Sequence, residues 1–204
     1  MITLHALKYS RATRVLWLLD DLGQPCKRVD YDRTSDFGAP DALSAVHTLG
    51  KSPVIEDDGD MIAESATILR YLVAKFGDQT HQPPRGTAAF WQHEALFDYV
   101  ESSFAEVAMQ AILPAFGGKD VPKQAKAALN TQLSYISRKL GQGPLLFGAT
   151  LMLADIQISY ILALLAKLDL LGDHPEIAAY WQELQKQPGY IAALKAIGPM
   201  APPD

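Results

Sequence analysis

The sequence predicts a chain of two units: an α/β domain over residues 1–78, a linker at 79–86, and an all-α helical bundle domain over residues 87–204. Three observations predict it. Within residues 1–32 the apolar positions repeat every second residue, then at helical spacing, then every second residue again, the pattern of a βαβ unit. Two adjacent prolines, Pro83 and Pro84, stand in the polar stretch 82–86, where neither can continue a helix. Beyond them the periodic segments are all helical. A length of 204 residues, against about 150 per domain, allows one large or two small domains.

Taken in order, Ile2, Leu4 and Ala6 alternate with Thr3, His5 and Leu7, and the pattern stops at residues 8–10, a short strand followed by a loop. Val15, Leu18, Leu19 and Leu22 then fall at i, i+3, i+4 and i+7, with Asp20 and Asp21 off that stripe and Gly23 and Pro25 as the stop. Val29 and Tyr31 alternate with Arg28, Asp30 and Asp32, a second strand expected to run parallel to the first. Residues 33–50 show no period and read as loop with room for one helix. Two apolar runs, 53–56 and 61–63, flank Asp57-Asp58-Gly59-Asp60 and predict an antiparallel hairpin. Ile68, Leu69, Leu72 and Phe76 mark the next helix, with Ser65 as N-cap and Gly77 as stop. Helices are expected at 87–116, 122–140, 154–171 and 176–186, with a last turn near 190–197. The segment 156–171, apolar nearly all round, should be the central one.

Composition narrows the function. Apolar residues at 49% and charged residues at 20% are ordinary globular values. A net charge of −5 offers no basic stripe for phosphates, so nucleic acid is not the expected partner. The apolar run 158–166 is flanked by Gln157 and Lys167, short of the 18 or more residues of a membrane span. The first residues lack a basic segment followed by an apolar one, so no secretory leader is expected. One cysteine, Cys26, excludes an internal disulfide and any CxxC motif. These readings together predict a reduced, cytoplasmic protein.

Most chemical motifs fail on spacing. Gly50-Lys51-Ser52 is no phosphate-binding loop, because that motif needs glycine where Ala45 stands and a helix where Pro53 stands. The histidines lack metal-ligand spacing, and the 57–60 aspartates lack the glutamate that closes a calcium loop, so no metal site is expected. No G-x-S-x-G elbow is present. Two features are more specific. Ser52-Pro53 opens the hairpin, and a cis bond there would leave the preceding residue's backbone groups to pair with an extended ligand; an ordinary trans edge proline is the alternative. Tyr9-Ser10-Arg11 leads into the first helix, whose N-terminal N–H groups and dipole favour an anion, a thiolate in particular; a plain cap is the alternative.

Over essentially its whole length the sequence resembles the cytosolic glutathione S-transferases. The residues that carry the likeness are Ser10-Arg11-Ala12-Thr13-Arg14, Leu49-Gly50-Lys51-Ser52-Pro53-Val54, Glu64-Ser65-Ala66-Thr67-Ile68-Leu69-Arg70-Tyr71-Leu72, and Leu153-Ala154-Asp155-Ile156. The resemblance implies a thioredoxin-like first domain that binds glutathione. Pro53 then matches the family's cis-proline, and the edge opened by Ser52 and Pro53 would pair with the cysteinyl part of glutathione through the backbone of Val54. Glu64 and Ser65 would hold the γ-glutamyl end, and Lys51 would face the glycyl carboxylate. Ser10 would donate a hydrogen bond to the thiolate, with Arg14 four residues on as in serine-type members. Tyr9 is the second candidate, because the position of the family's strand tyrosine is occupied by His5, and Arg11 would add positive potential. Cys26 follows the helix instead of opening it, which sets aside the cysteine-type members.

The electrophile would be small and hydrophobic, near the Tyr9 loop and Phe104, Met109, Ile112 and Phe116. A homodimer is implied as well. The alternatives are a non-catalytic binding module of the same fold, or a peroxidase or dehalogenase acting at the same site. Two positions depart from the family pattern. His47-Thr48 stands where asparagine-proline is usual. Met152 stands where a hydroxyl usually caps the helix of Asp155, a loss expected to cost about 0.5–2 kcal/mol unless Thr150 or a water substitutes.

Overall fold

The computed structural model describes residues 1–77, 80–141 and 143–202, so the expected boundary between the first domain, ending at 78, and the linker, starting at 79, lies outside the described residues. By contact the chain divides into two units, Met1–Thr80 with Gln187–Asp204, and His81–Lys186.

The first unit is built on a four-stranded sheet of order β2-β1-β3-β4, formed by β1 (Ile2–Leu7), β2 (Cys26–Tyr31), β3 (Val54–Asp57) and β4 (Asp60–Ala63). β1 and β2 are parallel, as the intervening helix α1 (Ala12–Asp21) requires, and β3 runs antiparallel to both β1 and β4. The α1 stripe is buried at Val15, Leu18 and Leu19, and the helix begins three residues ahead of that stripe. The segment without a period holds one short helix, α2 (Asp41–Ser44).

Helix α3 (Ser65–Phe76) starts one residue earlier than expected. Its N-cap is Glu64, at φ 68° and ψ 117°, and Ser65 is the first helical residue. At its far end Lys75 Nζ and Tyr71 Oη donate to buried Asp57 at 2.7 and 2.9 Å, tying the helix to the hairpin turn. Those donors hold the Asp57 carboxyl below the usual carboxylate range.

The second unit contains α4 (Ala88–Tyr99), a π-helical turn at Val100–Phe104, α5 (Ala105–Phe116), α6 (Lys123–Ser137), α7 (Leu153–Lys167) and α8 (Pro175–Gln185). The helix expected at 87–116 is therefore one rod with a wider turn in its middle. Thr87 caps it by accepting from Phe90 N–H at 3.2 Å. Helix α7 is central, with Ile156, Ile158, Ile161 and Leu162 wholly buried. Its missing hydroxyl cap is replaced by groups the sequence pattern does not reveal. The His81 carbonyl accepts from Leu153 N–H at 2.8 Å, and buried His93 Nε2 accepts from Ala154 N–H at 3.2 Å. An accepting Nε2 puts the imidazole proton on Nδ1, which lies 3.1 Å from Glu94 Oε1. The expected loss of cap stability is thus offset by His93, not by Thr150.

The last helix, α9 (Pro188–Ile197), groups with the first unit, whereas the sequence pattern counts it with the second. Its Gly189 lies directly on α1: a Cβ there would sit 2.8 Å from the Trp17 carbonyl oxygen, and the neighbouring Tyr190 packs edge-on against the Trp17 ring at 5.3 Å. Gly189→Ala is accordingly expected to destabilise the protein by about 1–3 kcal/mol through overpacking. At this chain length that is roughly 2–4 °C of Tm per kcal/mol in a thermal melt. An unchanged Tm would show that α9 does not press on α1.

Candidate functional site

Strand register places the candidate residues together. His5 lies opposite Val54, and Val54 opposite Ala63, so the C-terminal end of β1, the start of β3 and the end of β4 share one edge of the sheet. From that edge β1 leads through residues 8–11 into α1, and β4 leads through Glu64 into α3. The N-termini of both helices therefore lie at this end, each with N–H groups that lack partners within their own helix. Two positive dipole ends at one place favour an anionic ligand.

Ser10 is buried, and its Oγ accepts from Ala12 N–H at 3.1 Å, which leaves its hydroxyl proton to be donated. Arg11 is the N-cap residue of α1. Tyr9 has a left-handed backbone, φ 54°, and its ring stacks on Phe37 at 6.0 Å. Ser65 Oγ accepts from Nη1 of fully buried Arg14 at 3.2 Å, so a guanidinium stands beside the α3 N-terminus. Glu64 and Lys51 are exposed.

The Ser52-Pro53 peptide is cis. The Ser52 hydroxyl is engaged with β1: it accepts from Leu7 N–H at 2.9 Å and donates to the His5 carbonyl at 3.0 Å. This side chain extends the sheet past the end of the β1–β3 ladder and pins the proline turn. Val54 lies inside the ladder, opposite both His5 and Ala63, so its backbone polar groups point at sheet neighbours. Ser52 and Pro53 lie just ahead of β3, outside every strand.

Cys26 opens β2 opposite Ile2, at the other end of the sheet, and burial pushes its thiol up, away from thiolate. Burial lowers the His5 imidazole, whose Nδ1 lies 2.9 Å from Tyr31 Oη. In the second unit Phe104 and Ile112 are wholly buried among the core residues, while Met109 is half-buried and Phe116 exposed. Among the described residues no helix is long and apolar enough to cross a membrane.

Three residues at this end of the sheet have roles the pattern alone did not reveal. Arg14 reads as a marker of a subgroup, and only the fold brings it to Ser65. Arg33 and Phe37 lie in the segment without a period, and the guanidinium reaches back to the carbonyls of Lys8 and Tyr9, both at 2.9 Å.

Comparisons with known proteins point to one family. Two family profiles match the chain, one described as the N-terminal domain of glutathione S-transferase over residues 4–83 and one as its C-terminal domain over residues 100–188. Two yeast relatives match over part of their lengths. Glutathione S-transferase 3 of Schizosaccharomyces pombe is 41% identical over 103 residues, 50% of this chain and 42% of that protein. Glutathione S-transferase 1 of Saccharomyces cerevisiae is 40% identical over 87 residues, 40% of this chain and 37% of that protein. The matched stretches thus span less than half of these two curated relatives. The crystal structure of a glutathione S-transferase from Actinobacillus pleuropneumoniae superposes with a TM-score of 0.86 at 27% identity, covering 98% of this chain and 94% of that one.

Proposed function

The chain belongs to the glutathione S-transferase family, and on that premise we propose that it is a glutathione transferase, holding the tripeptide's sulfur as thiolate for attack on a small hydrophobic electrophile. The observation that supports this most is the meeting of two helix N-termini at one end of the sheet, one beside Ser10 and the other beside Ser65. The glutathione backbone pairs with residue 52. Its γ-glutamyl carboxylate takes the N–H groups of α3 and the Ser65 hydroxyl, with the Arg14 guanidinium behind them, and its ammonium faces Glu64. Lys51 faces the glycyl carboxylate.

An unperturbed thiol, with a pKa of about 8.5, is only a few per cent ionised at neutral pH. Ser10 donates a hydrogen bond to the sulfur, and the α1 dipole adds positive potential, with Arg11 beside it. Together these supply the roughly 1.4 kcal/mol that each unit of pKa depression requires. With a chlorinated aromatic substrate, the thiol proton passes to solvent, the sulfur–carbon bond forms, and chloride leaves with the carbon–chlorine electron pair. The working form is a homodimer in the cytoplasm, where glutathione is abundant, and the role is detoxification.

The test is calorimetric titration with glutathione together with turnover of a chlorinated nitrobenzene. Binding with turnover is expected. Binding without turnover in wild type and Ser10→Ala alike would make the protein a binding module, and no binding would sink the reading altogether. Within it, Glu64→Ala is expected to raise the KM for glutathione by about tenfold, the equivalent of one charge-assisted hydrogen bond, with kcat little changed. Initial-rate kinetics with glutathione varied would check this, and a fall in kcat at constant KM would count against Glu64 as a ground-state contact.

A further inference from the structure

We propose that Arg33 is a positioning residue for the thiol-activating loop, holding the Tyr9–Ser10 peptide in the orientation that presents Ser10 to the sulfur. The proposal rests on the glutathione transferase reading and deepens it. Arg33 lies two residues beyond β2, and its guanidinium reaches three backbone carbonyls. Nε donates to the Lys8 carbonyl at 2.9 Å, Nη2 to the Tyr9 carbonyl at 2.9 Å, and Nη1 to the Phe37 carbonyl at 2.8 Å. The same guanidinium lies over the Phe37 ring, 4.3 Å from its centre, and that ring stacks on Tyr9 at an interplanar angle of 12°. Cation, phenyl and phenol rings form one column against the loop.

The loop needs such a clamp. The β1–β2 pairing ends at Leu7, and one further bond, Lys8 N–H to the Tyr31 carbonyl at 3.0 Å, carries the chain past it. Only residues 8–11 then separate the strand from α1. Tyr9 makes the turn at φ 54°, and Phe37, on the opposite side of the clamp, stands at φ 65°. Non-glycine residues are rarely found in this region and persist there when their surroundings hold them. Arg33 takes the carbonyls on both sides of Tyr9. A peptide unit is planar and trans, so fixing the Tyr9 oxygen also fixes the plane and direction of the Ser10 N–H. From that plane the Ser10 side chain projects with its Oγ toward Ala12 N–H. A fork of coplanar N–H donors suits two successive carbonyls, and an ammonium cannot reproduce it, so lysine is not an equivalent residue here.

The experiment is a spectroscopic pH titration of the thiolate of bound glutathione in wild type, Arg33→Lys and Arg33→Ala, with glutathione affinity and thermal melting measured on the same samples. Both variants are expected to raise the bound thiol's pKa by about one unit, which lowers kcat/KM roughly tenfold near neutral pH and lets it recover in alkaline buffer, where the thiol ionises unaided. Glutathione affinity changes less than this. In Arg33→Ala, millimolar guanidinium ion restores part of the lost activity, an effect absent from wild type. A role confined to stability would lower the melting temperature and leave the thiol pKa where it was. Phe37→Leu keeps the carbonyl that Nη1 uses and removes the ring; it shifts the pKa in the same direction by less, and it serves if the arginine variants do not fold. A wild type with a depressed thiol pKa that is unchanged in all these variants would overturn the positioning role alone. A wild type that binds no glutathione would overturn the transferase reading, and this proposal with it.

Discussion

Ser10→Ala is expected to lower kcat/KM for glutathione conjugation by about 10–100-fold near neutral pH while leaving glutathione affinity nearly unchanged. The size follows from the chemistry assigned to the hydroxyl. A hydrogen bond to an anion contributes about 1.5–3 kcal/mol, or one to two units of thiol pKa, and an interaction made to the thiolate and not to the thiol appears in the ionisation rather than in binding. Raising the pKa from the depressed value back toward about 8.5 removes most of the reactive anion at neutral pH, and alkaline buffer should restore it. The variant also loses the acceptor for the buried Ala12 N–H, a hydrogen bond worth about 1 kcal/mol of stability. Ser10→Thr, which keeps an oxygen in place, separates the two effects. Tyr9→Phe is expected to behave like wild type, because the ring of Tyr9 is held in the Phe37 stack, on the side of the loop clamped by Arg33. A thiol pKa unchanged in Ser10→Ala and raised in Tyr9→Phe would transfer the role to Tyr9.

The parts of this site that sequence discloses are those that depend on order along the chain. Alternation over residues 2–7 places β1, the stripe from Val15 to Leu22 places α1, and the Asp-Gly turn places the hairpin, so the elements that bring Ser10, Ser52 and Ser65 to one sheet edge were legible. What was not legible depends on geometry across the chain. The start of α3 shifts by one because the left-handed backbone of Glu64 is invisible in its residue type. That the Ser52 hydroxyl bridges two β1 backbone groups follows from no sequence pattern. The register that sets Val54 between two strands is likewise a matter of pairing across the chain. Arg14 and Arg33 act through a long side chain on partners 51 and 24–25 residues away, distances over which no periodicity signals contact. The grouping of the last helix with the first unit is hidden for a similar reason. Its apolar pattern suits any bundle, and only the missing side chain of Gly189 lets it lie against Trp17.

Asp155→Ala is expected to be the most destabilising of these substitutions, with a deficit that grows in acid. The carboxylate is wholly buried at the first turn of α7. There Oδ2 accepts from Met152 N–H at 2.9 Å, and Oδ1 accepts from Leu146 N–H at 3.0 Å and from Tyr180 Oη at 2.7 Å. Alanine leaves three donors unpaired, the two buried ones at about 1–3 kcal/mol each, and it also removes the cost of holding a carboxylate away from water. Burial pushes this carboxyl up to about 6, while the Tyr180 hydroxyl and the two backbone N–H groups pull it back. The balance near neutral pH is a loss of about 2–4 kcal/mol, and Asp155→Asn, which keeps one acceptor oxygen, should lose less. The folded-state value lies above the ordinary 3.8 of an unfolded chain. Between the two, the folded protein holds a proton that the unfolded chain has released, so this group's contribution to stability falls as pH rises from about 4 to 6. At about 1.4 kcal/mol per unit, the wild-type advantage over Asp155→Ala should be larger near pH 4 than near pH 7 by roughly 3 kcal/mol. Urea unfolding of both proteins across that range measures the difference directly. A gap that stays constant with pH would mean that Asp155 titrates alike in the folded and unfolded chains, and that its network is held by hydrogen bonding without the burial that shifts it.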